Sequence, residues 1–127
     1  MAKKILVIDD EPELVKAVEV RLKTSGYEVE IAYDGLAGID KAKEIKPDLI
    51  LLDLVMPKMD GYEVCKRLKD NPKTENIPVI VLTASVVVGQ QELEKKCMSA
   101  GAKGAIMKPF ETSDLLNIID EVLKKEE

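Results

Sequence analysis

Three acids in a row, Asp9, Asp10 and Glu11, follow directly on the apolar run Ile5 to Ile8. A fourth acid, Asp53, closes the run "LILLD" inside the stretch "PDLILLDLVMPKMDG" at residues 47–61. An ionised carboxylate left alone in an apolar interior is costly enough to shift its pKa until it is neutral. Asp53 is therefore expected at the last position of a buried strand, where its carboxylate can emerge at a rim. Thr83 closes a second such run, "VIVLT", and Lys108 follows a third, "AIM", just before Pro109. Carboxylates gathered in one place repel one another, so a cation is expected among them. Oxygen donors without His or Cys suit Mg²⁺, which takes few protein ligands and keeps several waters. Lys108 could neutralise part of the remaining charge and hold an anion. Any one of these residues alone has a plainer structural reading, the strand-end Asp residues as turn formers. The whole set, drawn from four strand ends, is better explained as a site.

The elements that must position this set follow from hydrophobic periodicity. Short runs rich in Ile, Val and Leu predict strands at residues 4–9, 28–33, 49–53, 79–83 and 104–107. Amphipathic stretches separate them. Leu14, Val15, Val18 and Leu22 keep helical spacing up to Ser25-Gly26; Leu36, Ile39 and Ala42 do so up to Pro47. Val64, Cys65 and Leu68 carry a third helix up to Asn71-Pro72, and Leu93, Cys97 and Ala100 a fourth up to Gly101. A fifth opens with Thr112 or Ser113 as N-cap and runs through Leu115, Leu116, Ile119 and Val122. Strict alternation of strand and helix predicts an α/β fold, a parallel sheet with helices on both faces. Right-handed crossovers limit its topology. Ligands of such sheets gather beyond the carboxyl ends of the strands, where Asp9, Asp53, Thr83 and Lys108 are expected.

Composition narrows the function classes. The chain has 127 residues, and residues 1–127 read as one domain with one core. Its net charge is −5 with Lys and Arg spread along the chain, which argues against direct binding of nucleic acid. It has no histidine, so catalysis by His is excluded and any phosphohistidine must lie on a partner. The two cysteines, Cys65 and Cys97, form neither a disulfide framework nor a zinc site and read as core packing. No signal peptide opens the chain and no run is long enough to span a membrane, which reads as a cytoplasmic protein.

The stretches "ILVIDDE", "LILLDLVMPKMDG", "VIVLTA" and "GAKGAIMKPF" resemble, in order and over essentially the whole chain, the motifs of response-regulator receiver domains of two-component signalling. The resemblance implies a flavodoxin-like, doubly wound, five-stranded parallel sheet of order 2-1-3-4-5. It implies that Asp53 is the phosphoacceptor. Asp9 and Asp10 match the Mg²⁺-binding pair, with Asp53 and the main-chain carbonyl of Val55 completing the protein ligands. Thr83 and Lys108 match the residues that contact the phosphoryl group, and the Lys108–Pro109 bond matches a cis peptide. The implied partners are a sensor histidine kinase or histidine phosphotransfer protein, a downstream target, and a second copy of the chain on phosphorylation. In the family the exposed side of the first helix and the loop after the fifth strand meet the kinase, here Glu13, Leu14, Ala17, Arg21 and Phe110. The chain is expected to catalyse only its own phosphorylation and dephosphorylation. No output domain follows the fifth helix, so it would act by docking, as a stand-alone receiver or relay intermediate, or as part of a longer regulator.

Three features depart from the family pattern. Ala105 stands where many relatives place an aromatic switch residue. Val55 and Ser85 occupy sites that tune phosphoryl hydrolysis. Val86, Val87 and Val88 are apolar for a loop expected to face solvent, and either pack beneath the fourth helix or form a partner surface. Rival functions fit less well. An FMN binder needs an anion-friendly first loop, which Asp9-Asp10-Glu11 opposes. A phosphatase of the haloacid dehalogenase type needs an acid two residues after its nucleophile, where this chain has Val55. A degenerate receiver, acting only as a binding module, is opposed by the intact set Asp9, Asp10, Asp53, Thr83 and Lys108.

Overall fold

The strands β1 (Lys4–Ile8), β2 (Glu28–Ala32), β3 (Leu49–Asp53), β4 (Val79–Ala84) and β5 (Gly104–Lys108) form one parallel sheet in the order β2-β1-β3-β4-β5. Between and after them run α1 (Pro12–Thr24), α2 (Gly35–Ile45), α3 (Gly61–Lys69), α4 (Gln90–Ser99) and α5 (Thr112–Lys125). This is the expected doubly wound order 2-1-3-4-5. The computed structural model describes residues 2–84 and 90–126; the expectations for Ser85 and for the valines at 86–88 lie outside the described residues.

Alternation along each strand divides the core in two. Leu6, Ile8, Ile50, Leu52, Val79 and Val81 join Ile39, Ala42, Val64, Leu68 and Cys97 on the side of α2, α3 and α4. Ile5, Val7, Leu49, Leu51, Ile80 and Leu82 join Val15, Val18, Leu22, Leu115 and Ile119 on the side of α1 and α5. Every residue of the central strand β3 is buried, as a parallel strand covered on both faces requires.

The ends of the elements differ from the sequence reading by about one residue. β1 stops at Ile8 rather than Asp9, because the Asp9 carboxylate accepts from the Glu11 backbone N–H at 3.0 Å and turns the chain. β2 stops at Ala32, whose carbonyl accepts from the Asp9 N–H at 3.1 Å. β4 and β5 each run one residue further, to Ala84 and Lys108, which pair with one another. Thr112 is the first residue of α5 and not its N-cap. Glu111 holds the cap position without a side-chain bond, and its carbonyl already accepts from the Leu115 N–H at 3.1 Å.

Leu36 was expected to pack inward and is exposed. The buried face of α2 is instead Gly35, Gly38, Ile39 and Ala42. Gly38 sits so close to β1 that a Cβ there would stand 2.5 Å from Ile8 Cδ1. That contact sets the rotation of α2 and leaves Leu36 outside. Asp34 and Asp60 cap α2 and α3 by accepting from the N–H groups of Ala37 at 2.8 Å and Glu63 at 3.0 Å.

Candidate functional site

The sheet register brings the expected residues to one edge. Ile8 pairs with Leu52, so Asp9 and Asp53 leave adjacent strands side by side. Asp53 pairs with Leu82, which places Thr83 one step beyond it on the next strand, and Ala84 pairs with Lys108. By strand parity Asp53 continues the side of Leu49 and Leu51, and Lys108 that of Ile106, whereas Thr83 continues the side of Val79 and Val81. Asp9 is wholly buried, Asp53 and Thr83 are each 5% exposed, and Asp10 is half-buried.

One carboxylate oxygen from each of Asp9, Asp10, Glu11 and Asp53 lies within 4.8 Å of the others. Lys108 reaches across from β5 into this cluster. Its Nζ is 2.9 Å from Asp9 Oδ2, 3.4 Å from Asp53 Oδ1 and 3.4 Å from Glu11 Oε1. Glu11 was noted in the acidic run but given no role. The sequence signal for it was simply that a third acid follows the pair, at the point where α1 begins.

Burial and charge oppose each other here. Desolvation pushes the Asp53 carboxyl up, the charge of Asp9 pushes it further, and Lys108 only partly compensates, so that it titrates at about 6. Burial also raises Asp9, against the hydrogen bond from Lys108 and the N–H of Glu11. For Lys108, burial favours the neutral amine, but the hydrogen bond to Asp9 and the charges of Asp53, Asp9 and Glu11 outweigh it and hold the ammonium charged.

Val55 stands on the rim, 48% exposed, at the start of the turn between β3 and α3. The turn is closed by the Gly61 N–H donating to the Leu54 carbonyl at 2.8 Å. Gly61 is required there, since a Cβ would come within 2.8 Å of Leu54 Cα. Among the described residues no backbone amide donates to the Val55 carbonyl. The available donors are thus hard oxygens grouped around excess negative charge, with no nitrogen or sulfur ligand among them. That set fits Mg²⁺.

Lys108–Pro109 is a cis peptide. Ala105 is half-buried against the core beneath α3 and α4. Leu14 and Phe110 both rest half-buried on the core beneath α1 and α5. On α1 an open groove of about 520 Å³ is lined by Glu13, Lys16, Ala17, Val20 and Arg21. Among the described residues no helix is long and apolar enough to cross a membrane.

Residues 5–120 match the response regulator receiver domain family. Over 122 residues the chain is 38% identical to the DNA-binding dual master transcriptional regulator RpaA of Synechocystis, a match covering 96% of this chain and 49% of that protein. The chain thus spans about half the length of this curated relative. A CheY-like receiver domain protein from Methanospirillum hungatei superposes with a TM-score of 0.90 at 30% identity, covering 99% of this chain and 97% of that one. The receiver domain of a sensor histidine kinase from Pseudomonas aeruginosa, with a magnesium ion coordinated in its active site cleft, gives 0.88 at 28% identity, covering 98% and 99%.

Proposed function

Since the chain belongs to the response regulator receiver domain family of two-component signalling, we propose that Asp53 takes a phosphoryl group from a phosphohistidine on a sensor histidine kinase or histidine phosphotransfer protein. The modification then switches the binding of a downstream target. The observation that carries this reading is the grouping of three further carboxylates around that of Asp53, with the Lys108 ammonium reaching into it from another strand.

With a pKa of about 6, Asp53 is mostly ionised at neutral pH and can act as the nucleophile. One of its oxygens attacks phosphorus, the P–N bond breaks, and the imidazole leaves with the electron pair. The product is an aspartyl phosphate, a mixed anhydride. A carboxylate is a weak nucleophile, so the protein's contribution is positioning and screening of charge. Lys108 is held between Asp9 and Asp53 before reaction. It can keep Asp9 while passing its contact with Asp53 to a phosphoryl oxygen. In this reading the Thr83 hydroxyl, one step beyond the residue paired with Asp53, turns toward another phosphoryl oxygen and draws β4 and the chain toward α4 after it. Asp9, Asp10, Asp53 and the Val55 carbonyl would hold Mg²⁺, with Glu11 in reach. When bound, the ion supplies positive charge that offsets the carboxylates and the incoming phosphoryl oxygens. Val55 cannot transfer a proton, so the reaction stops at the chain's own phosphorylation and dephosphorylation.

The test is incubation with Mg²⁺ and phosphoramidate, followed by intact mass. One acid-stable, base-labile phosphoryl group is expected on the wild type, and none on Asp53→Asn or in excess chelator. A full label on Asp53→Asn contradicts the assignment.

A further inference from the structure

Cys65 and Cys97 are the only cysteines of the chain, and they stand on different helices that pack together. Cys65 lies in the middle of α3 and Cys97 near the end of α4; both are 0% exposed and share one core cluster. Each thiol is the strongest single influence on the other's ionisation, as neighbours in that cluster are, and neither takes part in the chemistry around Asp53. We propose that this pair is a modification site at which a hydroperoxide converts the two thiols into a Cys65–Cys97 disulfide, tying α3 to α4.

The two sulfurs are not equivalent. The neighbouring Cys97 thiol favours the Cys65 thiolate; burial opposes it, and the charge of Lys69, one helical turn on, favours it, with a net downward pull. Lys69 is fixed there by the carbonyls of Glu75 at 3.2 Å and Ile77 at 2.9 Å. Cys97, beside the Cys65 charge and buried, is pushed up. Cys65 is therefore the attacking thiol and Cys97 the resolving one. The Cys65 sulfur attacks one peroxide oxygen, the O–O bond breaks, and an alcohol or water leaves, giving a sulfenic acid. The Cys97 sulfur loses its proton, attacks the Cys65 sulfur and releases water. Two thiols give up two electrons, and the peroxide takes them.

Access comes from α4. Among its described side chains only Cys97 is wholly buried, with Leu93 partly so, against four buried residues on α3, so less apolar surface holds α4 down and local opening is easier there. α3 follows the strand that ends in Asp53, and α4 follows the strand that carries Thr83. The disulfide would fix the spacing of two helices that flank the site.

The full chain, folded and reduced, is treated with hydrogen peroxide and digested without reduction. The proposal expects the loss of two hydrogens in intact mass, one peptide pair linking Cys65 to Cys97, and reversal by dithiothreitol. Cys97→Ala should stop at a sulfenic acid on Cys65, trapped by dimedone, and Cys65→Ala should give neither product. The wild type alone decides the matter should either variant fail to fold. Three results would each overturn the proposal: a native protein whose cysteines stay reduced while the urea-unfolded chain oxidises, a disulfide between two chains, or peroxide uptake confined to methionine.

Discussion

Asp53 is held where burial and the charge of Asp9 both disfavour its ionised form, and Lys108 offsets them only in part. The consequence for stability has a definite sign. Asp53 and Asp9 bind protons more tightly in the folded protein than in the unfolded chain. Their contribution to stability is therefore greatest below the ordinary carboxylate range, and for Asp53 it is lost as pH rises through about 6. Asp53→Asn removes that titration. In chelator, its Tm should exceed the wild type's by several degrees at pH 7, and the gap should close toward pH 4. A Tm below the wild type's at pH 7 would show that Asp53 stabilises the metal-free fold. Val55 is the second residue with a distinct expectation, because its apolar side chain stands at the rim and can hold no water for attack on phosphorus. One hydrogen bond to a positioned water is worth about 1 kcal/mol, or several-fold in rate. Val55→Asn should speed loss of the phosphoryl group by that factor, followed by intact mass after the donor is removed.

At the scale of elements, the strands were legible because buried parallel strands read as continuous Ile, Val and Leu runs. Helix ends were legible where Gly or Pro punctuates them. Much of the candidate site followed at once, since Asp9, Asp53, Thr83 and Lys108 lie at or next to strand ends. Contacts that depend on how one helix meets another left no such trace. The exposure of Leu36 follows from the approach of Gly38 to Ile8, which periodicity cannot register. The meeting of Cys65 with Cys97 depends on the docking of α3 on α4, and the grip of Lys108 on Glu11 on the start of α1. Gly38→Ala adds helix propensity, yet it forces a methyl group into Ile8, so it should destabilise the fold by about 1–3 kcal/mol in urea titration. An increase in stability would mean that α2 can shift away from β1 freely. Asp60→Ala removes the cap of α3 and should cost about 1 kcal/mol, with the loss confined to the exchange protection of that helix's first turn.

For the molecule as a whole, the two faces of the sheet separate the roles proposed for it. The carboxylate cluster opens at the carboxyl edge, and the open groove lined by Glu13, Lys16, Ala17, Val20 and Arg21 lies on α1, the helix that the proposed kinase contact would use. Arg21 lines that groove, is exposed and makes no ion pair among the described residues. Arg21→Glu should slow phosphotransfer from a cognate kinase while leaving phosphoramidate labelling intact. Equal loss of both would indicate a folding defect instead. Mg²⁺ binds only the folded chain on this account, so it should raise Tm in proportion to the logarithm of its concentration once above Kd, about 2.7 kcal/mol of stability at a hundredfold excess. Asp9→Asn should blunt that rise. Whether the phosphoryl group resides on Asp53 is decided by mapping the modified site. Phosphorylated protein is reduced with borohydride, which converts an aspartyl phosphate to homoserine, and the digest is sequenced by mass spectrometry. The account predicts homoserine at position 53 alone; homoserine at position 9 or 10, or a phosphorylated chain with none, would contradict it.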